Sequence, residues 1–334
     1  MKLSNLMYLM YYIKTTDWNR LKSHRAYTIE NSKISGNKLD LDMISCTLKY
    51  GLSFHEFYYY DLWRKSAELR SEYASMGFMY EFQKKFNPID KRARLSDKNL
   101  FDVAYAEYLH RDMINPLTSS IDRIDGFIKD KKKVVLKKST GGQGKFVKII
   151  ELEGKTGEWI KSYAEQLQFD ILEDFVYQHD SLQKLSPNSL NTIRFITFLK
   201  KNGTVEIVGS SLRMGLDKKT DNLSSGGITC KVNVNTGIIE SKGYSFDITK
   251  PLCDVHPISG VKLEGFQIPY WEDVKSMCIK AASKYDDNRC IGWDVAITND
   301  GPLLIEGNHD WGARVWQMPA GKGMKKILES LTEE

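Results

Sequence analysis

The feature that most constrains the fold is a series of apolar, strand-like segments that begins at Val134. The segments read VVLKK, FVKIIEL, FDILEDFVY, NTIRFITFLKKNGTVEIVGSSLRM, GITCKVNVNTGIIE and GWDVAITNDGPLLIEGN. The tripeptides KNG, NTG and NDG inside them are typical of hairpin turns. Helical stretches near TGEWIKSYAEQLQ, YWEDVKSMCIKAASKY and AGKGMKKILESL interrupt the series. Antiparallel hairpins mixed with helices predict an α+β architecture rather than a doubly wound parallel sheet.

The chain before Val134 reads as one helix after another. The segment LDLDMISCTLKY stops at Gly51, and the capping-box pattern from Ser53 to Glu56 starts the next helix. SDKNLFDVAYAEYLHRDM, from Ser96, predicts another capped helix. A chain of 334 residues is long enough for two domains, so we expect a helical N-terminal domain over 1–92 and an α+β domain over 93–334.

Composition excludes some functions and leaves others open. Lys and Arg number 48 against 43 Asp and Glu, a surplus too small to predict nucleic-acid binding. The five cysteines form no C-x-x-C pair, so we expect neither structural zinc nor disulfides, and a cytoplasmic protein. The apolar segment in residues 1–14 is too short to span a bilayer. It predicts a packed helix or, as the alternative, a helix resting on a membrane surface.

The stretch VVLKKSTGGQGKFVKII combines a strand, Lys137 and a loop containing Gly141, Gly142 and Gly144. It satisfies neither the Walker pattern nor G-x-G-x-x-G, because Ser139 and Val147 stand where glycines are needed. Glycines let backbone N–H groups approach phosphate oxygens, and a strand lysine can reach the same anion. Taken alone, the stretch fits a phosphate-covering loop and a plain hairpin equally well.

A second constellation predicts a metal site. Asp294 lies in GWDVAIT, and Glu306 and Asn308 lie two residues apart in PLLIEGN, after the NDG turn. A hairpin would place Asp294 opposite the Glu306 end, with Glu306 and Asn308 on the same face. Two carboxylates and an amide oxygen are ligands suited to Mg²⁺ that also binds phosphate and water. The competing interpretation is a hairpin with a solvated polar face.

A third group supplies cations. Arg194 interrupts the apolar strand NTIRFITF, and Arg213 lies in SSLRMG. An arginine inside a strand usually forms an internal salt bridge and less often binds a ligand phosphate or carboxylate. DNLSSGGI follows, with Asn222 and the pair Gly226 and Gly227.

In this order the segments resemble the ATP-grasp superfamily, specifically the sugar-transfer associated ATP-grasp family. The resemblance runs from about Ser96 to the C-terminus and implies two α+β lobes, 93–185 and 186–334, that grip ATP. It implies phosphate contacts from Lys98, Lys137 and the glycine loop, and ribose contacts from Asp180 unless that residue caps the next helix. It implies an adenine-reading hinge formed by Glu173, Asp174, Phe175 and Val176, and Mg²⁺, two ions in all, held by Asp294, Glu306 and Asn308.

The same resemblance implies the chemistry. A carboxylate is phosphorylated by ATP to an acyl phosphate, and an amine then displaces phosphate to form an amide. Arg194, Arg213, Asn222, Gly226 and Gly227 would stabilise the transferring phosphoryl group and the oxyanion. The residues after the metal strand would contact the acceptor or serve as packing; these are His309, Asp310, Trp311 and Arg314.

The family name implies a carboxylate-bearing sugar joined to an amino acid or other amine, in bacterial surface polysaccharide synthesis. The alternatives are phosphorylation of a hydroxyl and non-catalytic nucleotide or glycan binding. The helical N-terminal region could shape an acceptor pocket, mediate oligomerisation or approach a membrane-bound glycan carrier.

Overall fold

A computed structural model describes residues 3–139, 146–216, 223 and 226–332. Gly141, Gly142, Gly144 and Asn222, which the sequence analysis singled out, lie outside these described residues. Every pairing between the described strands is antiparallel. The predicted α+β class is therefore confirmed.

The N-terminal region is helical, as predicted. Its helices are α1 (Leu3–Thr15), α2 (Trp18–Ser32), α3 (Gly36–Tyr50), α4 (Phe54–Tyr59), α5 (Ala67–Ser71) and α6 (Met76–Phe86). Gly51 ends α3 in the left-handed conformation with φ of 71°, which glycine adopts without steric cost. Ser53 and Glu56 form the predicted capping box at the start of α4.

The next segment connects the helical region to the sheets and corrects one prediction. It contains α7 (Ala93–Ser96) and α8 (Lys98–Ala104). Ser96 does not cap a helix, because Asp97 is the N-cap of α8 and accepts hydrogen bonds from the N–H groups of Asn99 and Leu100. The cap therefore places Lys98 at the first helical position.

A four-stranded sheet forms the first lobe, in the order β1-β4-β2-β3. Its elements are β1 (Met113–Ile114), α9 (Ile121–Ile128), β2 (Lys133–Lys137), β3 (Val147–Glu151), α10 (Gly157–Leu167) and β4 (Ile171–Asp174). Alternating apolar residues of the strands, including Val134, Leu136 and Ile150, pack against apolar residues of α9 and α10 to form its core.

A six-stranded sheet forms the second lobe, in the order β10-β9-β5-β6-β7-β8. Its elements are α11 (Asp180–Leu185), β5 (Thr192–Leu199), β6 (Val205–Met214), β7 (Ile228–Lys231), β8 (Tyr244–Ser245), α12 (Trp271–Ser283), β9 (Cys290–Thr298), β10 (Gly301–Asn308), α13 (Arg314–Ala320) and α14 (Lys325–Ser330). The KNG and NDG turns join β5 to β6 and β9 to β10, as predicted.

The two faces of this sheet differ in polarity, and that difference positions the site. Residues opposite one another in the ladder share a face. Phe195 and Trp293 are such a pair, and they pack into the apolar core with α12. Arg194 and Asp294, one residue away on each strand, are also a pair and lie on the opposite face. We call this second side the polar face.

The helical region packs directly on the second lobe. Phe82 and Phe86 of α6 share a core with Ile196 and Phe198 of β5. A second core joins aromatic residues of α4 to Phe246 and α13 residues. The boundary between 92 and 93 stays a prediction, and α6 shares its core with the large sheet.

α1 packs one side on α3 and exposes Met7, Met10, Tyr11 and Ile13 on the other. Among the residues that the structure describes, no helix is both long enough and apolar enough to cross a bilayer. The proposed contact of residues 1–14 with a membrane surface stays a prediction.

Candidate active site

The predicted metal ligands meet on the polar face. Asp294 on β9 is the register partner of Glu306 on β10, and a bulge at Ile305 shifts the register just before Glu306. The charges of Asp294 and Glu306 act on each other, and Asn308 Nδ2 donates to Glu306 Oε1 at 3.3 Å. The hairpin geometry expected from the NDG turn therefore brings all three together.

Two arginines neutralise the Asp294 carboxylate. Arg194 donates from Nε to Oδ1 at 2.6 Å and from Nη2 to Oδ2 at 3.2 Å, and Arg213 Nη2 donates to Oδ2 at 2.7 Å. Burial raises the pKa of Asp294, but the charges of Arg194 and Arg213 outweigh it and lower that pKa to about 2. The carboxylate is thus ionised, and both predicted cations belong to the site.

Glu306 has the opposite electrostatic environment. Burial raises its pKa, and the neighbouring negative charge of Asp294 raises it further. A divalent cation between the two carboxylates would offset both effects, and their oxygen atoms are donors that Mg²⁺ prefers. In the described part of the chain, no three His, Cys, Asp or Glu side chains form a metal-binding group. The predicted ligand set uses two carboxylates and an amide, so it fits Mg²⁺ that also binds phosphate oxygens.

The two predicted phosphate lysines lie on α8 (Lys98) and β2 (Lys137). Lys98 is half-buried and donates from Nζ to the Ser139 carbonyl at 3.2 Å. Burial lowers the pKa of Lys98, while Glu306 and Lys137 lie close enough for their charges to act on it. Lys98 is therefore near both the Glu306 carboxylate and the ammonium group of Lys137.

Lys137 is held by the first residue of the predicted hinge. Its Nζ donates to Glu173 Oε2 at 2.7 Å, and both side chains are buried. The pKa of Glu173 is raised by burial, but Arg111 and Lys137 outweigh this and lower it. Glu173 therefore binds Lys137 through its side chain, in addition to its position in the strand that leads into the predicted hinge.

The remainder of the predicted hinge borders an open cleft of about 1200 Å³. Asp174 uses its N–H in a bond to the Asp112 carbonyl at 3.1 Å, whereas no backbone hydrogen bond of Phe175 or Val176 occurs within the described residues. The hinge wall faces Leu303 at the end of the large sheet across this cleft. Open backbone groups beside an apolar wall are suited to an adenine ring.

Asp180 does not cap α11, because His179 is the N-cap and accepts from the Ser181 N–H. Asp180 is exposed and exchanges hydrogen bonds with Asn299 in the β9–β10 turn, at 3.1 and 3.2 Å. Its contact with ribose stays a prediction. Gly226 has φ of 105° and donates its N–H to the Leu223 carbonyl, and Gly227 is buried beside it.

The residues that follow β10 have separate roles. His309 contacts Ser96 Oγ through Nε2 at 2.9 Å, and Asp310 is exposed. Trp311 is buried. Its side chain lies close to that of Arg194, because a Cβ added at Gly292 would approach both. Trp311 therefore packs the site, which was one of the two interpretations. Arg314 packs on the Phe246 ring but forms no salt bridge with a described residue, and its contact with the acceptor stays a prediction.

Sequence reasoning missed Arg111. This guanidinium, with a side chain 2% exposed, donates from Nε to Glu173 Oε2 at 2.9 Å and from Nη1 to the Leu304 carbonyl at 2.6 Å. It also approaches the Ile305 carbonyl at 3.5 Å and Asp102 Oδ1 at 3.8 Å. Arg111 thus links the hinge of one lobe to the bulge of the other. Its short HRD context carries no sequence signal that distinguishes it from a surface arginine.

Two α+β lobes, one with Lys137 and the other with a carboxylate-bearing hairpin, and Lys98 near both, define the ATP-grasp class of proteins. The model of the family described as sugar-transfer associated ATP-grasp matches residues 78–333. The chain belongs to this family and is an ATP-grasp enzyme. A search of curated protein sequences gives no match.

Solved structures show a distant likeness. The ATP-grasp ligase PsnB complexed with minimal precursor is 12% identical, with 77% of this chain and 68% of that chain covered and a TM-score of 0.44. D-cycloserine synthetase DcsG is 11% identical, with 77% of each chain covered and a TM-score of 0.44. The D-alanine-D-alanine ligase from Coxiella burnetii is 8% identical, with 72% of this chain and 59% of that chain covered and a TM-score of 0.41. The family assignment rests on the family model.

Proposed function

We propose that this enzyme joins a carboxylate to an amine at the expense of ATP, through an acyl phosphate. The observation that carries the proposal is the row Glu306, Asp294 and Arg194 on the polar face, with Lys98 near both Glu306 and Lys137. Carboxylates for metal, and cations from both lobes, converge on one place. Such an arrangement positions and neutralises phosphate groups rather than forming covalent bonds with them.

Each side chain has a distinct task in the proposed reaction. Lys98 and Lys137 hold the phosphates, and Asp294, Glu306 and Asn308 would hold Mg²⁺, which neutralises phosphate charge when bound; the family pattern implies two ions. Arg194 and Arg213 stabilise negative charge on the transferring phosphoryl group. Asn222 and the Gly226 and Gly227 amides would support the oxyanion, and the loop with Gly141, Gly142 and Gly144 would exclude water.

The reaction has two steps. A carboxylate oxygen attacks the γ-phosphorus, and ADP leaves. The amine nitrogen then attacks the acyl carbon, phosphate leaves, and the nitrogen loses a proton as the amide forms. The family description supports a sugar as the carboxylate or amine partner, and we propose a uronic acid of a bacterial surface polysaccharide as the carboxylate.

The test is turnover in the presence of a trapping nucleophile. The protein is incubated with Mg-ATP, hydroxylamine and a panel of uronic acids and their glycosides, and ADP, AMP and hydroxamate are measured. We expect ADP and hydroxamate in equal amounts, lost in Glu306→Gln or on chelation of Mg²⁺. Glu240→Gln, which removes a surface partner of Lys231, is the matched control and should retain turnover.

The products separate the competing functions. AMP instead of ADP would contradict the acyl-phosphate route. ADP without hydroxamate would favour phosphorylation of a hydroxyl. Tight binding of Mg-ATP without turnover of any acceptor would favour a nucleotide-binding module.

A further inference from the structure

Arg314 is a half-buried arginine that forms no salt bridge with the described residues. It is the first residue of α13, and its guanidinium lies over the Phe246 ring at 5.1 Å from the centroid. No carboxylate or hydrogen-bond acceptor of the described residues contacts it. A guanidinium carries five N–H donors, and half-buried donors in proteins are normally satisfied. Arg314 thus has donors available for a ligand.

A stack of planar side chains extends from Arg314 into the helical region. Phe246 stacks on Tyr59 with centroids 5.3 Å apart, and Tyr59 stacks on His55 at 5.7 Å. Nδ1 of His55 is buried and has no hydrogen-bond partner in the described part of the protein. The stack therefore anchors the Phe246 ring, which lies against Arg314, to the helical region.

The positive charge of Arg314 reaches the helical region. Burial lowers the pKa of His55 to about 4, with further contributions from His24 and Arg314. The same arginine lowers the pKa of Tyr59, although burial raises that pKa overall. His55 is therefore neutral, and the charge of Arg314 also acts on the buried carboxylate of Glu56.

The position of α13 places this stack beside the polar face. Thr229 is the register partner of Arg213, and its Oγ1 donates to the Val315 carbonyl at 3.3 Å. Trp316 fits against Gly209 of the polar face, where an added Cβ would come within 2.3 Å of Trp316 Nε1. Arg314 precedes these two residues and therefore borders the polar face on its β6–β7 side. Lys98 and Lys137 approach from the β10 side.

The charges on the polar face suggest what Arg314 binds. Arg194 and Arg213 are engaged by Asp294 and lie where the transferring phosphoryl group is expected. Arg314 forms no salt bridge with a described acid and lies farther along the sheet, so its N–H donors suit an oxyanion that does not react. A planar guanidinium stacked on an aromatic ring presents its edge donors to a carboxylate or phosphate.

We propose that Arg314, with the Phe246–Tyr59–His55 stack beside it, binds a non-reacting oxyanion of the second substrate. The oxyanion is either the carboxylate of an amino acid that supplies the amine or the phosphate of a sugar 1-phosphate group. This inference rests on the proposed ligation for the meaning of "second substrate". It makes the helical N-terminal region one wall of the substrate site.

The experiment measures binding rather than turnover. The protein is loaded with Mg-ADP, and dissociation constants are measured by calorimetry for two pairs of probes. The pairs are glycine with methylamine, and glucuronic acid 1-phosphate with glucuronic acid. The first pair tests for an amino-acid carboxylate and the second for a sugar phosphate. We expect the oxyanion-bearing member of one pair to bind about 10- to 100-fold more tightly than its partner.

Arg314→Gln should reduce that preference to about twofold. Arg314→Lys should keep part of it, because lysine preserves the charge but lacks the paired N–H donors of a guanidinium. The matched control is Arg64→Gln, which removes an arginine over the Trp63 ring in the same helical region. His55→Phe keeps an aromatic ring against Tyr59, so it should change the preference less than Arg314→Gln. Mg-ADP affinity should stay unchanged in all four variants.

Equal binding within both pairs in the wild type would overturn the proposal, as would a preference that survives in Arg314→Gln. If Arg314→Gln does not fold, loss of the preference in Arg314→Lys supports the proposal and full retention there opposes it. An Arg314-dependent preference without any hydroxamate in the turnover test would leave the oxyanion site standing and reject ligation. Hydroxamate without an Arg314-dependent preference would support ligation and reject the oxyanion site.

Discussion

Asp294 and Arg194 are joined across neighbouring strands by two hydrogen bonds, one of 2.6 Å and one of 3.2 Å, with the Asp294 side chain only 3% exposed. Arg213 binds the same carboxylate from the next strand. The proposed catalytic cations and a proposed metal ligand therefore form one buried network. Changing any member therefore affects stability and chemistry together, so the free energy of unfolding and the turnover must be measured separately.

The two carboxylates of the site should respond oppositely to amide substitution. Asp294→Asn leaves two buried guanidinium groups without a charged partner, and we expect a loss of about 3 kcal/mol in the free energy of unfolding. Glu306→Gln removes a repulsion from Asp294, so we expect unchanged or slightly raised stability with turnover lowered by about 10²-fold or more. Chemical denaturation and ADP release measure these effects. Equal destabilisation by both variants would contradict this account of the charges.

Arg111→Lys should weaken the use of ATP. Lysine keeps the charge but cannot contact Glu173 and the Leu304 carbonyl at once, so the hinge and the metal strand lose their shared anchor. We expect kcat/KM for ATP to fall by about 10- to 100-fold. Initial rates at varied ATP concentration measure it.

The control for that variant is Arg70→Lys. Arg70 binds both oxygens of Asp42 at 2.6 and 2.8 Å and the Lys65 carbonyl at 2.9 Å, within the helical region. Its replacement should lower the melting temperature while leaving KM for ATP unchanged. A similar rise of KM in both variants would mean that general destabilisation explains the Arg111 effect.

Gly209→Ala should disturb the packing of α13 on the polar face. The added Cβ would lie 2.3 Å from Trp316 Nε1, and Trp316 is buried. We expect a loss of about 1–3 kcal/mol in the free energy of unfolding. Gly126→Ala is the contrasting variant, because it lies inside α9 and its Cβ would contact nothing within 4 Å. That change should stabilise by about 0.5–1 kcal/mol.

His24 and His55 should make the helical region sensitive to acid. Burial lowers the pKa of each to about 4, below the usual value of 6.5, so the folded protein holds both neutral. The unfolded chain binds protons first as the pH falls, and stability present above pH 6.5 is lost progressively towards pH 4. We expect the pair to contribute a loss of about 2–3 kcal/mol, reduced from the full linkage value because His55 is partly solvated.

Denaturation curves at pH values across that window test this prediction against the variants His24→Phe and His55→Phe. Each variant should show a shallower decline than the wild type, since a phenylalanine ring binds no proton. Parallel declines in wild type and variants would assign the acid sensitivity to other groups.

Local patterns in the sequence determined much of the fold. Caps such as Ser53 and Glu56, and the NDG turn that pairs Asp294 with Glu306, involve residues close together in the chain. Their geometry follows from short-range hydrogen bonding and the two-residue alternation of a strand. The α+β class, the hairpins and the convergence of the three proposed metal ligands were predictable for that reason.

The tertiary structure decided what depends on contacts between distant segments. The bulge at Ile305 and its support by Arg111 bring together parts of the chain whose separation no local pattern records. The stack from His55 to Phe246 crosses from the helical region to the large sheet in the same way. A buried guanidinium is indistinguishable from an exposed one in sequence, because burial is a property of the packed chain and only packing determines its partners.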